Sequence, residues 1–347
     1  MDQALTTQKL KDLHALVQPE HKVAIVLQDD PDPDGLASAI ALRTILGRNR
    51  LTTPIFSFKG VTRPENRNMV RLLDIDVAQA TTEELRAFDK IATVDVQPPY
   101  FGARLPRADV VIDHHPGYPS GLAPFEDVRV RYGATSTIMT EYLITAHERI
   151  SERLATALIY GIKSDTLALS RRATEEDFEA FGVLARLANY SLLRRIERPE
   201  LPLSFVPTMA RAIRRIEVER GFLLMYLGPV ERDDVIVQMA DLCLCFEGVE
   251  WVAVVGKLGP NLVIAVRNHG TGRSAGEVVR RLFASMGSAG GHRNMAKAVI
   301  PLKEWRARMG SLKAADIERR VRELFLAELV GSAQEATNAA PSDKVAS

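Results

Sequence analysis

Apolar residues in the first half of the chain form short runs that are separated by helical patterns. Residues 23–27 form a continuous apolar run, as in a strand that is buried on both faces. Similar runs at 91–94 and 110–112 predict two further strands. Amphipathic or small-residue patterns predict helices over 7–18, 35–46, 66–73, 82–88, 136–148 and 152–162. Strands that alternate with helices predict an α/β domain with a mainly parallel sheet flanked by helices.

The pattern changes near residue 195, where a basic helical stretch runs into Pro199, Pro202 and Pro207. These prolines indicate a linker. Beyond it, apolar runs predict strands over 235–239, 251–255 and 262–266 and helices over 277–283 and 315–329. We therefore predict an N-terminal domain over 1–195, a linker over 196–215, a smaller C-terminal α/β domain over 216–330 and a disordered, Ala- and Ser-rich tail over 331–347.

Composition narrows the class of protein. A net charge of +1 over 347 residues gives no global field for nucleic acid or anionic membranes, so a phosphorylated ligand needs a local site. No apolar run approaches the ~20 residues that span a bilayer, and the N-terminal segment does not have a signal-peptide pattern. Cys243 and Cys245, two apart on a predicted strand, indicate buried thiols more than a metal-binding pair. We predict a cytoplasmic protein without a membrane partner.

Acidic residues gather where apolar runs end. They are Asp30, Asp32 and Asp34 after the first run, Asp95 after the second, the triplet Asp113–His114–His115 after the third, and Asp165 after a later one. Ligands of open α/β sheets bind beyond the carboxyl ends of the strands. We therefore expect these side chains to converge, and carboxylates with imidazoles suit Mn²⁺ or Mg²⁺.

Each motif has an ordinary structural alternative. A single Asp after a strand is often a helix N-cap, which is the stronger interpretation of Asp165 alone. Paired histidines such as His114 and His115 are often one packed and one exposed ring. The combination of four such segments favours a metal site over four separate structural roles.

Taken in order, these motifs resemble the DHH phosphoesterase superfamily, which includes RecJ-type exonucleases, nanoRNase/phosphoadenosine-phosphate phosphatases and family II pyrophosphatases. The matching segments are Asp30–Gly35, Asp95, Asp113–His115, Gly133–Thr137 and Gly161–Thr166. Gly290–Gly291–His292 resembles the glycine-rich signature of the DHH-associated C-terminal domain, and Arg267 stands where that domain carries a substrate-contacting arginine. The resemblance covers roughly 20–303 and favours the nanoRNase/RecJ side of the superfamily over a pyrophosphatase.

The resemblance implies a site for two divalent ions, Mn²⁺ foremost, with Mg²⁺ and Co²⁺ as alternatives. The implied metal ligands are Asp30, Asp32, Asp34, Asp95, His114 and Asp165, with Asp95 as the bridge. His115 is implied to orient a ligand or stabilise the phosphate, and it is grouped with Asp95 as catalytic. Arg267, Gly290, Gly291 and His292 are implied to bind the substrate. NanoRNase-type members have a metal-binding His where this chain has Gln28, so Asp30 is expected to supply the missing ligand.

Three functions follow from this resemblance. The first is hydrolysis of a phosphoester in a short oligonucleotide or small nucleotide, with the linker acting as a hinge. The second is a RecJ-like single-strand exonuclease, although no further strand-rich domain with stacking aromatics is evident. The third is a binding protein with the fold but an impaired metal site, for which Gln28 is the support. The oligomeric state stays open, with a homodimer among the alternatives.

Overall fold

The computed structural model describes residues 3–170, 173–198, 200–270 and 272–330. The chain divides into two units, Met1–Pro199 and Glu200–Ser347. This boundary falls inside the segment predicted as a linker, which also contains a short helix. The tail over 331–347 lies outside the described residues. No helix in the described part of the chain is long and apolar enough to cross a membrane.

The N-terminal unit is an α/β domain around a parallel sheet. Its helices are α1 (Gln3–Leu16), α2 (Pro33–Ile45), α3 (Pro64–Leu72), α4 (Thr82–Arg86), α5 (Thr135–Thr145), α6 (Glu152–Asp165), α7 (Glu175–Ala185) and α8 (Tyr190–Glu197). Its strands are β1 (Val23–Leu27), β2 (Ile55–Ser57), β3 (Val77–Gln79), β4 (Lys90–Val94), β5 (Val110–Asp113) and β6 (Phe125–Val128). They lie in the order β3-β2-β1-β4-β5-β6, and each neighbouring pair is parallel.

The all-apolar sequence of β1 reflects burial on both faces of the sheet. Val23, Ile25 and Leu27 pack into the large core with α2, α5 and α6, whereas Ala24 and Val26 pack on the other side with Leu85 of α4. Strand order reverses between β1 and β4, because the chain runs outward from β1 through β2 and β3, then from β4 through β5 and β6. Such a reversal opens a crevice at the carboxyl ends of the two strands, which is where ligands bind in this architecture.

The C-terminal unit holds a second, mixed sheet. Its helices are α9 (Val206–Ile213), α10 (Asp234–Leu244), α11 (Ala275–Phe283), α12 (Leu302–Met309) and α13 (Ala314–Val330). Its strands are β7 (Glu217–Glu219), β8 (Phe222–Val230), β9 (Trp251–Leu258), β10 (Asn261–Asn268), β11 (Ser288–Gly291) and β12 (Met295–Pro301). The order is β11-β12-β10-β9-β8-β7, with β8 and β9 parallel and the other neighbours antiparallel. The predicted fold class is confirmed.

Two local predictions in the C-terminal unit are wrong. The predicted strand 235–239 lies in helix α10, where Val235, Ile236, Met239, Ala240 and Cys243 are buried at helical spacing. The short window hid this period, because three of its apolar residues are adjacent. The same helix turns Cys243 inward and leaves Cys245 exposed, so the two thiols are not both buried. Strands β7, β8, β11 and β12 were not predicted.

A buried ion-pair network closes the N-terminal unit beside β6. The Arg129 guanidinium donates to Asp127 at 2.8–3.1 Å, to Glu141 at 3.0 Å and to Thr6 of α1 at 2.9 Å. Arg129 is 8% exposed and Glu141 is 1% exposed. The network therefore joins α1 and α5 to the edge of the sheet.

We expect Arg129→Met to destabilise the fold by about 3–5 kcal/mol, because it leaves two carboxylates buried without their cation. The matched control is Arg153→Met, whose ion pair with Asp74 is more than half exposed on both sides and contributes little to stability. Urea unfolding followed by circular dichroism measures both variants. Equal losses in the two variants would contradict this assignment.

Candidate metal centre

Asp34 is the most enclosed carboxylate of the candidate site. It lies in the first turn of α2 and is fully buried. Its two oxygens accept hydrogen bonds from the backbone N–H groups of Thr135 and Ser136, both at 2.7 Å. These donors belong to the N-terminus of α5, which stabilises negative charge through its unpaired N–H groups and its dipole. The start of one helix thus fixes a carboxylate on another.

Asp95 follows β4 in a left-handed backbone conformation, with φ at 60°. Its N–H donates to Ile112 of the neighbouring strand at 2.9 Å, which holds this turn against β5. Thr135 Oγ1 donates to Asp95 Oδ1 at 2.9 Å, whereas Asp95 Oδ2 is buried without a hydrogen-bond partner among the described residues. A buried carboxylate oxygen without a donor indicates that something else supplies positive charge there.

The triplet at the end of β5 divides into one supporting carboxylate and two imidazoles. Asp113 is buried and accepts from Gln97 Nε2 at 2.7 Å and from His115 Nδ1 at 2.9 Å. His114 Nδ1 lies 3.1 Å from the carbonyl oxygen of Tyr132, so it carries the proton in the neutral ring. His114 Nε2 then faces the carboxylates, at 3.3 Å from Asp165, 3.7 Å from Asp95 and 4.0 Å from Asp34.

Asp165 is the last residue of α6, so it enters the site from the end of a helix and not from the end of a strand. Its carboxylate comes close to Asp34 because α6 packs closely against the starts of α2 and α5. A Cβ on Gly161, one turn earlier, would lie 2.2 Å from Ser136 Oγ and 3.1 Å from the Asp34 backbone. Glycine at 161 therefore lets α6 pack directly against the starts of α2 and α5.

Asp32 caps α2 and faces the same group of carboxylates. Its Oδ1 accepts from Gly35 N–H at 3.0 Å, and its Oδ2 accepts from Gln28 Nε2 at 3.0 Å. Gln28 thus orients Asp32 through its amide. In this geometry the amide nitrogen acts as a hydrogen-bond donor.

Burial and mutual repulsion raise the pKa values of these carboxyl groups. Burial, followed by the charge of Asp165, raises the pKa of Asp34 to about 7 and also raises that of Asp32. Burial and the charges of Asp34 and Asp32 raise the pKa of Asp95 well above its usual range. For His114, burial opposes protonation, but contact with Asp165 and the charge of Asp34 raise its pKa to about 9. Without a cation, the site therefore holds extra protons.

The side chains of the site fit divalent cations. Two groups offer three ligand atoms each within 4.8 Å of one another: Asp95, His114 and His115, and Asp34, His114 and Asp165. Asp95 and His114, which belong to these groups, each have one buried atom, Oδ2 and Nε2, without a hydrogen-bond partner in the described part of the chain. Hard carboxylate oxygens with one or two imidazoles suit Mn²⁺ or Mg²⁺.

Asp30 is not brought together with these residues. Its backbone is left-handed, with φ at 55°. Its Oδ1 accepts from the N–H groups of Thr62 at 2.6 Å and Arg63 at 3.1 Å, and its Oδ2 lies 3.2 Å from Arg63 Nε. These contacts direct the Asp30 carboxylate to the start of α3. The geometry therefore does not support the expectation that Asp30 supplies the metal ligand missing at Gln28.

The four candidate substrate-binding residues lie in the C-terminal unit. Arg267, near the end of β10, donates through Nε to Asp241 at 2.6 Å. Gly291 has φ at 153°, and a Cβ there would lie 2.3 Å from the Met295 carbonyl oxygen. Gly290 pairs with Lys297 of β12, and a Cβ on Gly290 would lie 4.0 Å from Arg280 Nη2.

His292 forms the turn between β11 and β12. Its carbonyl accepts from Gly276 N–H at 2.8 Å, and the Arg293 carbonyl accepts from Ala275 N–H at 2.8 Å. These contacts use the first N–H groups of α11. These N–H groups at the start of α11 are therefore already paired within the unit.

The sequence argument missed several supporting residues. Thr135 contacts both Asp34 and Asp95, and Gln97 joins Asp113 to the His115 carbonyl at 2.9 Å. The turn 133–137 had been noted as a motif, but its contacts join residues about 40 to 100 positions apart. Gln97 stands two residues after Asp95, at the same carboxyl edge of the sheet. That spacing was the feature of the sequence that could have indicated a role for Gln97 in the site.

Together the fold and the site define an open, parallel α/β domain with an acidic, histidine-containing candidate metal site where the strand order reverses. Residues 22–162 match the family model for the DHH family, N-terminal domain. Residues 22–162 therefore form a domain of the DHH type, as the sequence motifs had indicated.

Similarity to known proteins extends beyond this domain. An uncharacterised protein of Methanocaldococcus jannaschii is 33% identical over 285 residues, or 82% of this chain, but the chain spans only 59% of that relative. The crystal structure of an exopolyphosphatase-related protein from Bacteroides fragilis shares the fold, with a TM-score of 0.65 and 13% identity over 93% of this chain and 97% of that one. RecJ of Thermus thermophilus, in complex with Mn²⁺, aligns with a TM-score of 0.45 and 17% identity over 92% of this chain and 54% of that one.

Metal binding should release protons. Because Asp34 and His114 have pKa values raised to about 7 and about 9, a cation must displace protons from both below pH 7 and mainly from His114 between pH 7 and 9. We therefore expect Mn²⁺ affinity to rise with pH from 6 to 9, more steeply at the acidic end. Titration calorimetry in buffers of different ionisation enthalpy counts the protons. A pH-independent affinity would contradict the prediction.

Gly161→Ala should weaken metal binding, because the added methyl group forces α6, and Asp165 with it, away from Asp34. Overpacking of this kind costs about 1–3 kcal/mol of stability. Gly182→Ala is the matched control, since a Cβ at Gly182 in α7 meets no atom of the described residues within 4 Å. We expect that control to keep wild-type Mn²⁺ affinity and to gain up to about 1 kcal/mol of stability. Manganese titration and thermal unfolding distinguish the two variants.

Proposed function

We propose that this protein is a divalent-metal-dependent hydrolase of phosphoester bonds in short oligonucleotides or small nucleotides. The observation that carries the proposal is the group of Asp34, His114 and Asp165, whose ligand atoms lie within 4.8 Å of one another, with Asp95 Oδ1 at 3.7 Å from His114 Nε2. Because His114 Nε2 has one lone pair and can bind one ion, the expectation of two ions, with Mn²⁺ foremost, comes from the sequence resemblance. The substrate class comes from the sequence resemblance.

In this proposal Asp32, Asp34, Asp95, His114 and Asp165 would hold the ions. When bound, the ions neutralise phosphate charge and activate water for attack on phosphorus. The protein keeps the ligands in place before substrate arrives, because the α5 N-terminus fixes Asp34 and Thr135 fixes Asp95. Preorganised ligands need no rearrangement as charge develops in the transition state.

His115 is proposed to act on the substrate. About half of its side chain is exposed, and its Nδ1 is held by Asp113 at 2.9 Å. This hydrogen bond raises the pKa of His115, so a larger fraction of the rings is cationic near neutral pH. With Nδ1 engaged, Nε2 is the nitrogen that would donate to a phosphoryl oxygen.

We further propose that the C-terminal unit binds the rest of the nucleotide through Arg267, Gly290, Gly291 and His292. The supporting observations are local. Arg267 is held in place by Asp241, which fixes a guanidinium suited to phosphate, and a Cβ on Gly290 would lie next to the end of the flexible Arg280 side chain.

A substrate comparison tests the proposed activity. With Mn²⁺, the purified protein should hydrolyse a dinucleotide such as pApA much faster than a long single strand. Comparable rates on long strands would favour the exonuclease alternative. Mn²⁺ binding without hydrolysis of any phosphoester would leave the binding-protein alternative.

Asp95→Asn should lower hydrolysis by at least about 10²-fold, the scale for loss of one electrostatic contact in an active site. Asp29→Asn is the matched control, because Asp29 lies in the acidic run 29–34 beside the proposed ligands Asp32 and Asp34 but itself pairs with Arg104 at 2.9 Å and Lys59 at 3.1 Å.

Asp30→Asn tests whether Asp30 is a metal ligand. Unchanged Mn²⁺ affinity would limit Asp30 to its contacts with residues 62 and 63, whereas a loss would restore it as a ligand.

A further inference from the structure

Asp177 is a buried carboxylate that lies outside the set of metal ligands. It occupies the first turn of α7 and is fully buried. It accepts from Gly133 N–H at 2.9 Å, from Thr137 Oγ1 at 2.5 Å, and from Thr174 through N–H at 2.7 Å and Oγ1 at 3.0 Å. The Thr174 bonds cap α7, but those to Gly133 and Thr137 cross to another segment.

That segment, residues 132–137, contacts three of the proposed metal ligands. The Tyr132 carbonyl holds His114 Nδ1, the N–H groups of Thr135 and Ser136 hold Asp34, and Thr135 Oγ1 holds Asp95. A shift of this short segment would therefore move three ligands together. Asp177 anchors it at both ends of its turn, at Gly133 and at Thr137.

The fit at Gly133 is close. A Cβ there would lie 2.5 Å from Asp177 Oδ2 and 2.7 Å from Thr166 Cγ2. Thr166 directly follows Asp165, so this close contact at Gly133 also lies next to a fourth proposed metal ligand. Glycine at 133 lets the segment lie against both residues.

We propose that Asp177 is a positioning residue for the metal centre and that its carboxylate holds segment 132–137 in the conformation that presents His114, Asp34 and Asp95 to the cations. The proposal deepens the proposed function, on which its relevance to hydrolysis rests. Its physical basis is the number of donors. A single carboxylate that accepts four hydrogen bonds fixes the groups that donate them, and supporting contacts of this kind control metal affinity.

The test measures Mn²⁺ affinity apart from activity. Asp177→Ala should raise the Mn²⁺ dissociation constant by about 10–100-fold, the usual effect of losing a residue that supports metal ligands. Asp177→Asn should recover most of the affinity, because its amide oxygen can accept from Gly133 and Thr174 while its NH₂ group donates to the Thr137 hydroxyl. Thr174→Ala is the matched control, since it weakens the cap of α7 and leaves the Gly133 and Thr137 bonds intact.

A purely structural role predicts a different result. Asp177→Ala and Thr174→Ala would then both lower the unfolding temperature and leave Mn²⁺ affinity unchanged below it, which would overturn the proposal. If Asp177→Ala does not fold, Thr137→Val removes one of the crossing bonds with little change of shape. It should still weaken Mn²⁺ binding, and wild-type affinity there would overturn the proposal. Wild-type protein that binds Mn²⁺ but hydrolyses no phosphoester would refute the proposed function and leave the affinity test valid.

Discussion

Repulsion among buried carboxylates is the constraint on which this structure depends. Asp34 and Asp95 are buried, so little water screens their repulsion from each other and from the partly exposed Asp32 and Asp165. Such a group is stable only when protons or cations offset its charge. Without cations, protons offset the charge, as the raised pKa values of Asp34 and His114 indicate. Cations bound by the ligand groups around His114 would replace those protons.

The start of α5 carries out most of the positioning. Its backbone N–H groups stabilise Asp34, its first side chain holds Asp95, and the residues before it hold His114. Two close contacts, at Gly133 and Gly161, bring α7 and α6 up to the same point. The candidate metal centre is therefore not only a set of strand ends. Four helices, α2, α5, α6 and α7, meet the strand ends there and hold the proposed ligands in a fixed geometry.

The two units differed in how well the sequence predicted them. Parallel strands buried on both faces leave continuous apolar runs, so β1, β4 and β5 were predicted, whereas the short strands β2, β3 and β6 of the same sheet were not. In the C-terminal unit, β11 consists of Ser, Ala and two Gly residues, so no apolar run marks it, and β8 lay outside the runs that were recognised. The adjacent apolar residues of α10 imitated a strand. In each case the local pattern was too short to reveal the tertiary environment that sets the conformation.

The sequence by itself determined the fold class and the ligand types, because alternation of strands with helices and the order of the Asp and His motifs are properties of the chain alone. Tertiary structure decided which of those residues meet. It directed Asp30 to the backbone of residues 62 and 63, placed Asp165 on a helix end, and separated His114 from His115 through their different Nδ1 partners. It also revealed Asp177, whose partners Gly133 and Thr137 are about 40 residues away. Such contacts depend on the packing of helices against one another, and no local pattern in the sequence records them.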